Sequence, residues 1–201
     1  MTVAGKPRGS YAKTAARRRE ILEAGIEVFS SNGFRSGSIR EIAERVGMSQ
    51  AGLLHHFSNK NELLAGVLEL RDLESRRLSN LDDSDGLERI RGLVSVVEYN
   101  SSVPGLVELH CILSAEATSP DHPAHSYFVN RYKYVVGFAT ESFQSALAAG
   151  QLIDGVDPGS AARSLIALMD GMQVQWLLDR DSIDMVEETR RYVRSLLTVP
   201  L

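Results

Sequence analysis

A chain of 201 residues, 43% apolar and 24% charged, has ordinary globular composition and is long enough for one or two packed domains. Its net charge of -4 and pI near 5.8 exclude a uniformly basic protein that coats nucleic acid. One cysteine, Cys111, excludes an intramolecular disulfide scaffold; no apolar run reaches the ~18 residues of a membrane span and residues 1–30 lack a signal-peptide core, so a soluble cytoplasmic protein without a membrane partner is expected.

The charge is unevenly placed. Residues 1–60 carry ten basic and five acidic side chains, net +5, and residues 61–201 carry 12 basic and 21 acidic ones, net -9. That asymmetry points to a polyanion-binding end on an acidic body. Residues 1–13, rich in Gly, Lys, Arg and Pro, read as a flexible basic tail.

Apolar residues recur at spacings of three and four along almost the whole chain, and alternating β patterns with hairpin turns are absent, so the fold class is all-α. A first helix is expected from Thr14 to Ser31, with Ile21, Leu22, Gly25, Val28 and Phe29 on one side and a stop at Asn32-Gly33. Arg17, Arg18 and Arg19 then lie at its start, where cations oppose the helix dipole. Ser38-Ile39-Arg40-Glu41 reads as a capping box opening a second short helix, in which Glu41 reaches back to the cap. Gly47 ends it, Ser49 caps a third helix from Gln50 to His56, and Asn59 caps a fourth. Two short helices joined by Val46-Gly47-Met48-Ser49 form a helix-turn-helix. Residues 14–60 are thus expected to form a three-helix helix-turn-helix domain, and residues 61–201 a larger helical domain.

A two-turn helix is not stable alone and needs its neighbours. Leu53 and Phe57 would pack on Ile42, Ala43 and Val46, turning Gln50, Ala51, Leu54 and His55 outward. Those side chains suit a major groove: Gln bonds adenine bidentately, Ala and Leu touch thymine methyl groups, and His55 reaches a base edge or phosphate. Ser38, Arg17 with its two neighbours, Arg40, His56 and Lys60 are candidate phosphate contacts, and Ser49 joins the DNA-facing set at the third helix's start. A packed helical corner would explain Gly47 and Leu53 but not the local positive charge.

After a loop at Leu81–Gly86, helices are expected at Leu87–Asn100, Pro104–Thr118, His125–Ala149, Pro158–Asp179 and Ile183–Thr198. Asp157-Pro158 marks a start, with an N-cap carboxylate followed by Pro. The last two helices carry apolar stripes that can form either an intramolecular core or a four-helix interface between two copies.

No nucleophile elbow, phosphate loop or Cys-x-x-Cys pair is present, so no enzyme and no cofactor is expected. Ser10-Tyr11-Ala12-Lys13 lacks partner motifs. Cys111 and His110, adjacent on a helix, diverge by about 100° and make a poor catalytic dyad. His110, Glu116, His122 and His125 include one ligand-like spacing, but Pro123 separates the close pair and no second pair exists; no metal is expected.

The runs Phe29–Phe34, Ser38–Ser49 and Gly52–Leu64 resemble the TetR-type transcriptional regulators over residues 14–64, with many positions agreeing in order. The resemblance implies a homodimeric helical repressor. Its third helices would enter successive major grooves of operator DNA, and its C-terminal domain would bind a small-molecule effector. At Leu54 the family usually carries a tyrosine, so that hydroxyl contact is missing here. The stretches around Leu113–Ala117 and Met169–Trp176 are similar to an actinobacterial subgroup. The resemblance also implies that Leu165, Met169, Met172, Val193 and Leu197 form a dimer interface. It implies an effector cavity walled from among Tyr99, Glu108, His110, Cys111, Phe128 and Tyr132, with Gln173 and Trp176, although aromatics at helical spacing are more often core. Glu116, Arg131 and Phe138 belong to the same helices. The alternative from another class is a non-catalytic helical protein-interaction module with a basic surface.

Overall fold

The computed structural model describes residues 8–79 and 86–201. They form nine helices: α1 (Arg8–Ser36), α2 (Ile39–Arg45), α3 (Gln50–Leu54), α4 (Lys60–Ser79), α5 (Gly86–Ser102), α6 (Pro104–Glu116), α7 (His125–Ala148), α8 (Pro158–Leu178) and α9 (Met185–Arg194). The all-α expectation holds; the sole extended pairing among the described residues is an isolated bridge between Leu152 and Leu197.

Two apolar cores organise these helices. The first, here the head, gathers Ile21, Val28 and Phe29 of α1 with Ile42, Leu53, Phe57, Leu63 and Val67, all at most 1% exposed. Each such side chain contributes roughly 1.5–3 kcal/mol on burial, which is what holds the five-residue α3 in place. Leu109 and Leu113 of α6 and Phe128 of α7 belong to the same core, so the head continues into the second half of the chain. The second core, the body, packs α5, α7, α8 and α9 around Ile90, Phe143, Ala162, Leu165 and Val193.

Several boundaries differ from the sequence reading. α1 begins at Arg8 rather than Thr14, so residues 8–13 of the expected tail are helical, while Met1–Pro7 lie outside the described residues. Arg17, Arg18 and Arg19 therefore sit inside a helix, and the expected conflict with the helix dipole does not arise. The stop at Gly33 takes the form of a break, with φ 69° and ψ 176°, conformations almost confined to glycine. The loop expected at Leu81–Gly86 falls outside the described residues except for Gly86, which opens α5. α9 is shorter than expected because the chain after Arg194 turns to pair with Gln151 and Ile153.

The caps explain the starts. Ser38 accepts the Glu41 N–H at 3.0 Å, Ser49 the Gly52 N–H at 3.1 Å, and Asn59 the Glu62 N–H at 2.9 Å. Glu41 does not complete its box; it accepts instead from Asn32 and Arg45 at 3.2 Å each. Gly47, at φ 65°, closes α2 with Gly47 N–H to Glu44 O and Met48 N–H to Ala43 O, the paired bonds of a left-handed C-terminal stop. Asp157 caps α8 ahead of Pro158, accepting the Ser160 N–H at 2.8 Å.

The residues expected at a dimer interface need correction. Leu165 and Val193 are fully buried and Leu197 and Met169 are 8% exposed, all within this chain's own core. Met172 is half-buried against the same core. The apolar stripes of α8 and α9 pack on each other and on α5 and α7, so these side chains are already occupied. What α8 turns outward is another row: Ala167, Gly171, Val174 and Leu178, the last 82% exposed.

Candidate nucleic-acid interface and internal cavity

α3 presents Gln50, Ala51 and His55 to solvent, with Ser49 exposed at its start, while Leu53 and Phe57 are buried beneath. Leu54 and His56 are half-buried at the margin. The helix ends at Leu54, two residues short of the expected His56, and the exposed row is a short polar edge backed by a rigid apolar floor.

The cations around it are engaged within the chain. Arg17 donates to Glu20 at 2.5 Å and to the Val46 carbonyl at 2.6 Å, tying α1 to the turn of the helix-turn-helix. Arg18 lies 4.1 Å over the Phe57 ring and donates to the His56 carbonyl. Lys60 stands 4.5 Å over Phe34 and donates to the Arg35 carbonyl at 3.2 Å; burial pulls its ammonium below the ordinary value, and Glu116 opposes this. Arg40 pairs with Glu44 at 2.8 Å with both side chains mostly exposed, a pair held weakly in water. Arg17 and Lys60 are thus braces as well as charges, whereas Arg40 and the Ser38 hydroxyl lie open at the start of α2. A serine that accepts as a cap still has its own O–H to donate.

A cavity of about 370 Å³ lies in the body, walled by α4, α5, α7 and α8 with His110 from α6. Leu93, Val96, Val135, Ile166 and Met169 supply an apolar lining. The polar groups form two acid clusters. Asp72 accepts from the Tyr127 hydroxyl at 2.7 Å and from Arg131. Asp170 accepts from the Tyr132 hydroxyl at 2.7 Å and pairs with His110 Nε2 at 3.1 Å. Burial, with the nearby Arg71 cation, drives the His110 imidazole down to about 4, so it is neutral near pH 7 and Nε2–H donates to the carboxylate. Burial pushes Asp170 up, but the bond and charge of His110 and the Tyr132 bond outweigh it and hold the carboxyl below its usual range. Burial also raises the Tyr127 phenol to about 12 and the Tyr132 phenol further, so both remain donors. Arg71, 4% exposed, lines the same space.

Of the expected cavity residues, His110, Tyr132 and Gln173 line it. Phe128 stands behind the wall, its ring 5.7 Å from His110. Tyr99, Glu108, Cys111 and Trp176 are not in the lining. Trp176 is covered by Arg180, 4.9 Å over its ring, and Arg180 donates to Glu108 at 3.1 Å, so these three close the body's surface instead. Burial raises the Cys111 thiol to about 11, which keeps it protonated and unreactive. Sequence reasoning missed Arg71, Asp72, Tyr127 and Asn100, and did not single out Asp170. A single carboxylate between Met169 and Gly171-Met172 on an inward stripe was the available signal, since a buried charge requires partners.

Glu116, on a helix expected to wall the cavity, lies at the junction between head and body. Its Oε2 accepts the Phe34 N–H at 2.8 Å and lies 3.4 Å from His122 Nε2, and a Cβ at Gly33 would stand 2.5 Å from its Oε1. His125 Nδ1 instead meets the Ala117 carbonyl at 2.8 Å, so the histidines weighed as metal ligands have separate partners. Among the described residues no group of three or more His, Cys, Asp or Glu side chains could hold a metal ion, and no helix is long and apolar enough to cross a membrane.

Comparison with known proteins matches residues 21–67 to the family described as "Bacterial regulatory proteins, tetR family" and residues 107–198 to "BetI-type transcriptional repressor, C-terminal". The chain is similar to the HTH-type transcriptional regulator TtgR of Pseudomonas putida, 26% identical over 188 residues that cover 88% of this chain and 87% of that one. Its fold is similar to that of a transcriptional regulator from Saccharomonospora viridis in complex with choline, with TM-score 0.75, 20% identity, and 92% and 100% of the two chains covered. The regulator FadR from Bacillus subtilis in complex with stearoyl-CoA gives TM-score 0.73 at 15% identity, covering 90% and 97%. A capped helix-turn-helix on a helical body, matched in order by both families, makes this chain a member of the TetR family of transcriptional regulators.

Proposed function

We propose that this chain is a cytoplasmic homodimeric repressor that leaves its operator DNA when a small molecule occupies the cavity. Residues 14–60 would read DNA, preceded by the basic residues 1–13, and residues 61–201 would bind the effector and a second copy. One observation carries this reading: α6 contributes His110 to the cavity wall and, less than two turns further on, Glu116 to the junction with Gly33 and Phe34. A ligand that disturbs the Asp170–His110 pair acts on the same rigid helix that positions the head. The ligand complexes of the two solved neighbours support a small molecule in this cavity.

In the repressing state the two α3 helices would stand about 34 Å apart, one turn of DNA. Gln50, Ala51, Leu54 and His55 would face base edges, and Ser38, Ser49, Arg40 and His56 would approach phosphates, joined by Arg17 and Lys60 where they let go of their present partners. Ligand would favour another separation; shifting a 99:1 population to 1:99 takes a preference of about 5.5 kcal/mol. The outward row of α8, from Ala167 to Leu178, is an apolar face suited to pairing with its copy about a two-fold axis.

The test is an anisotropy titration of the purified chain on a duplex from the intergenic DNA beside its own gene, against a random duplex, over a range of salt. A specific, salt-sensitive complex of two copies per site is expected. Equal binding to both duplexes, or a monomer in sedimentation that still binds specifically, overturns the reading. Val174→Glu should give monomers and abolish the specific complex.

A further inference from the structure

The cavity's charges are unequally matched. Both oxygens of Asp72 and both oxygens of Asp170 already accept a hydrogen bond or pair within the chain, from Arg131, Tyr127, His110 and Tyr132. Arg71 is only partly matched: the Tyr127 hydroxyl oxygen and the Asp72 carboxylate are near it, but not at every donor. Its Nε and Nη1 make no hydrogen bond to any described residue, and its approach to Asp72, 3.5 Å from Nη1, is to an oxygen that Arg131 already occupies. A buried guanidinium in this position is costly unless an acceptor is supplied.

Resting on the effector reading above, we propose that the cavity takes an organic monoanion, a compact carboxylic acid with an apolar body, whose carboxylate is held by Arg71. The carboxylate would give Arg71 the acceptors that it lacks, in the planar geometry to which guanidinium is matched. The apolar body would lie against Leu93, Val96, Ile166 and Met169. Two acceptors in the wall, Gln173 Oε1 and His110 Nδ1, are buried and also without hydrogen-bond partners, so a hydroxyl or N–H on the ligand would be recognised as well. A cationic ligand is disfavoured, because both carboxylates are engaged and Arg71 and Arg131 would repel it. The volume, about 370 Å³, is at the lower end of the ~300–1,000 Å³ common for small-molecule sites, which selects a compact acid. Burial and the adjacent Arg131 cation hold the Arg71 guanidinium at about 10, low for arginine yet still charged near pH 7.

The test uses the full chain and isothermal titration calorimetry with matched probes on two scaffolds: 4-phenylbutyrate and octanoate, their amides and the corresponding primary amines. At least one acid is expected to bind tenfold or more tightly than its amide, and the amines not to bind. Arg71→Met should bring the acid to the level of its amide, while Arg71→Lys should keep the preference. An amide equal to its acid, or an amine tighter than either, overturns the monoanion. If that neutral or cationic probe also releases operator DNA, the effector reading stands and only the charge assignment falls. A tenfold acid preference that survives in Arg71→Met protein of unchanged circular dichroism overturns Arg71 as the seat. Binding by no probe overturns the proposal and counts against the effector reading too. Should Arg71→Met not fold, the wild-type ratio of acid to amide and the behaviour of Arg71→Lys decide.

Discussion

In the head, Ile42, Leu53 and Phe57 are buried while Gln50, Ala51 and His55 face water. In the body, Arg71, Asn100, His110 and Gln173 are buried while Val174 and Leu178 face water. The first arrangement follows from stability alone: a small domain with few residues to spare buries carbon and leaves its polar groups at the surface. The second sacrifices stability at two places, since buried polar groups lose hydration and exposed leucine loses nothing by leaving water. Those two places are where the proposed ligand and the proposed second copy would bind. Departure from apolar-in, polar-out packing thus separates the surface proposed to read DNA from the parts proposed to regulate the reading.

The largest effect is expected where the head has no redundancy. Phe57→Ala removes a ring 1% exposed that packs beneath α3 and carries the Arg18 guanidinium. A loss of about 3–5 kcal/mol is expected in urea unfolding followed by circular dichroism, with DNA binding abolished. A loss below 1 kcal/mol would mean that α3 is held by something other than its apolar floor.

The body's buried polar groups should declare themselves in acid. Below pH 6.5 an unfolded chain takes up a proton at His110 that the folded chain refuses until about pH 4, so the unfolded state gains and stability falls as pH drops across that window. The full contribution is about 3 kcal/mol. Burial likewise lowers His122 at the junction, against the pull of Glu116, and adds in the same direction. Urea midpoints of the wild type and of His110→Gln between pH 7 and pH 4 test this: the variant should lose part of the slope, and parallel slopes would show that His110 titrates normally.

How much of this was legible depended on whether a feature is local. Ser38, Ser49, Gly47 and Asp157 act on backbone groups three or four residues away, so their caps and turns could be read directly from sequence. The inward positions of Leu53 and Phe57 followed from helical spacing. The cavity and the junction were partly hidden because their pairs join distant positions: Asp72 to Arg131 and Asp170 to His110 in the cavity, Glu116 to Phe34 at the junction. Spacing also shows that α8 is apolar on more than one side without telling which side meets its own chain; Leu165 and Met169 were placed at an interface on resemblance, and the fold turned them inward.

Gly33 stands where the two regions meet and tests whether they are coupled. Alanine there must adopt φ near +69° and place its Cβ 2.5 Å from Glu116 Oε1, displacing the carboxylate from the Phe34 N–H. A cost of about 1–3 kcal/mol is expected for the backbone alone. The sharper readout is on DNA: Gly33→Ala should change how strongly a cavity ligand lowers operator affinity, whereas a purely structural hinge would change stability and leave that ratio intact.

The smallest effects concern how the exposed edge divides its work. Gln50 and Arg40 are both exposed on the head, at the start of α3 and in the first turn of α2 respectively. Gln50 is the longest neutral side chain on α3 and can bond an adenine edge with both ends of its amide, so Gln50→Ala should cost about 1–3 kcal/mol on the preferred operator and little on random DNA. Arg40 offers a charge whose intramolecular partner, Glu44, is itself mostly exposed and yields to a phosphate. Arg40→Ala should weaken both duplexes alike and reduce the slope of log affinity against log salt by about one. Measuring both variants on both duplexes at several salt concentrations separates the roles. Equal losses for Gln50→Ala on specific and random DNA would remove it as a base reader, and an unchanged salt slope for Arg40→Ala would leave the start of α2 without its phosphate.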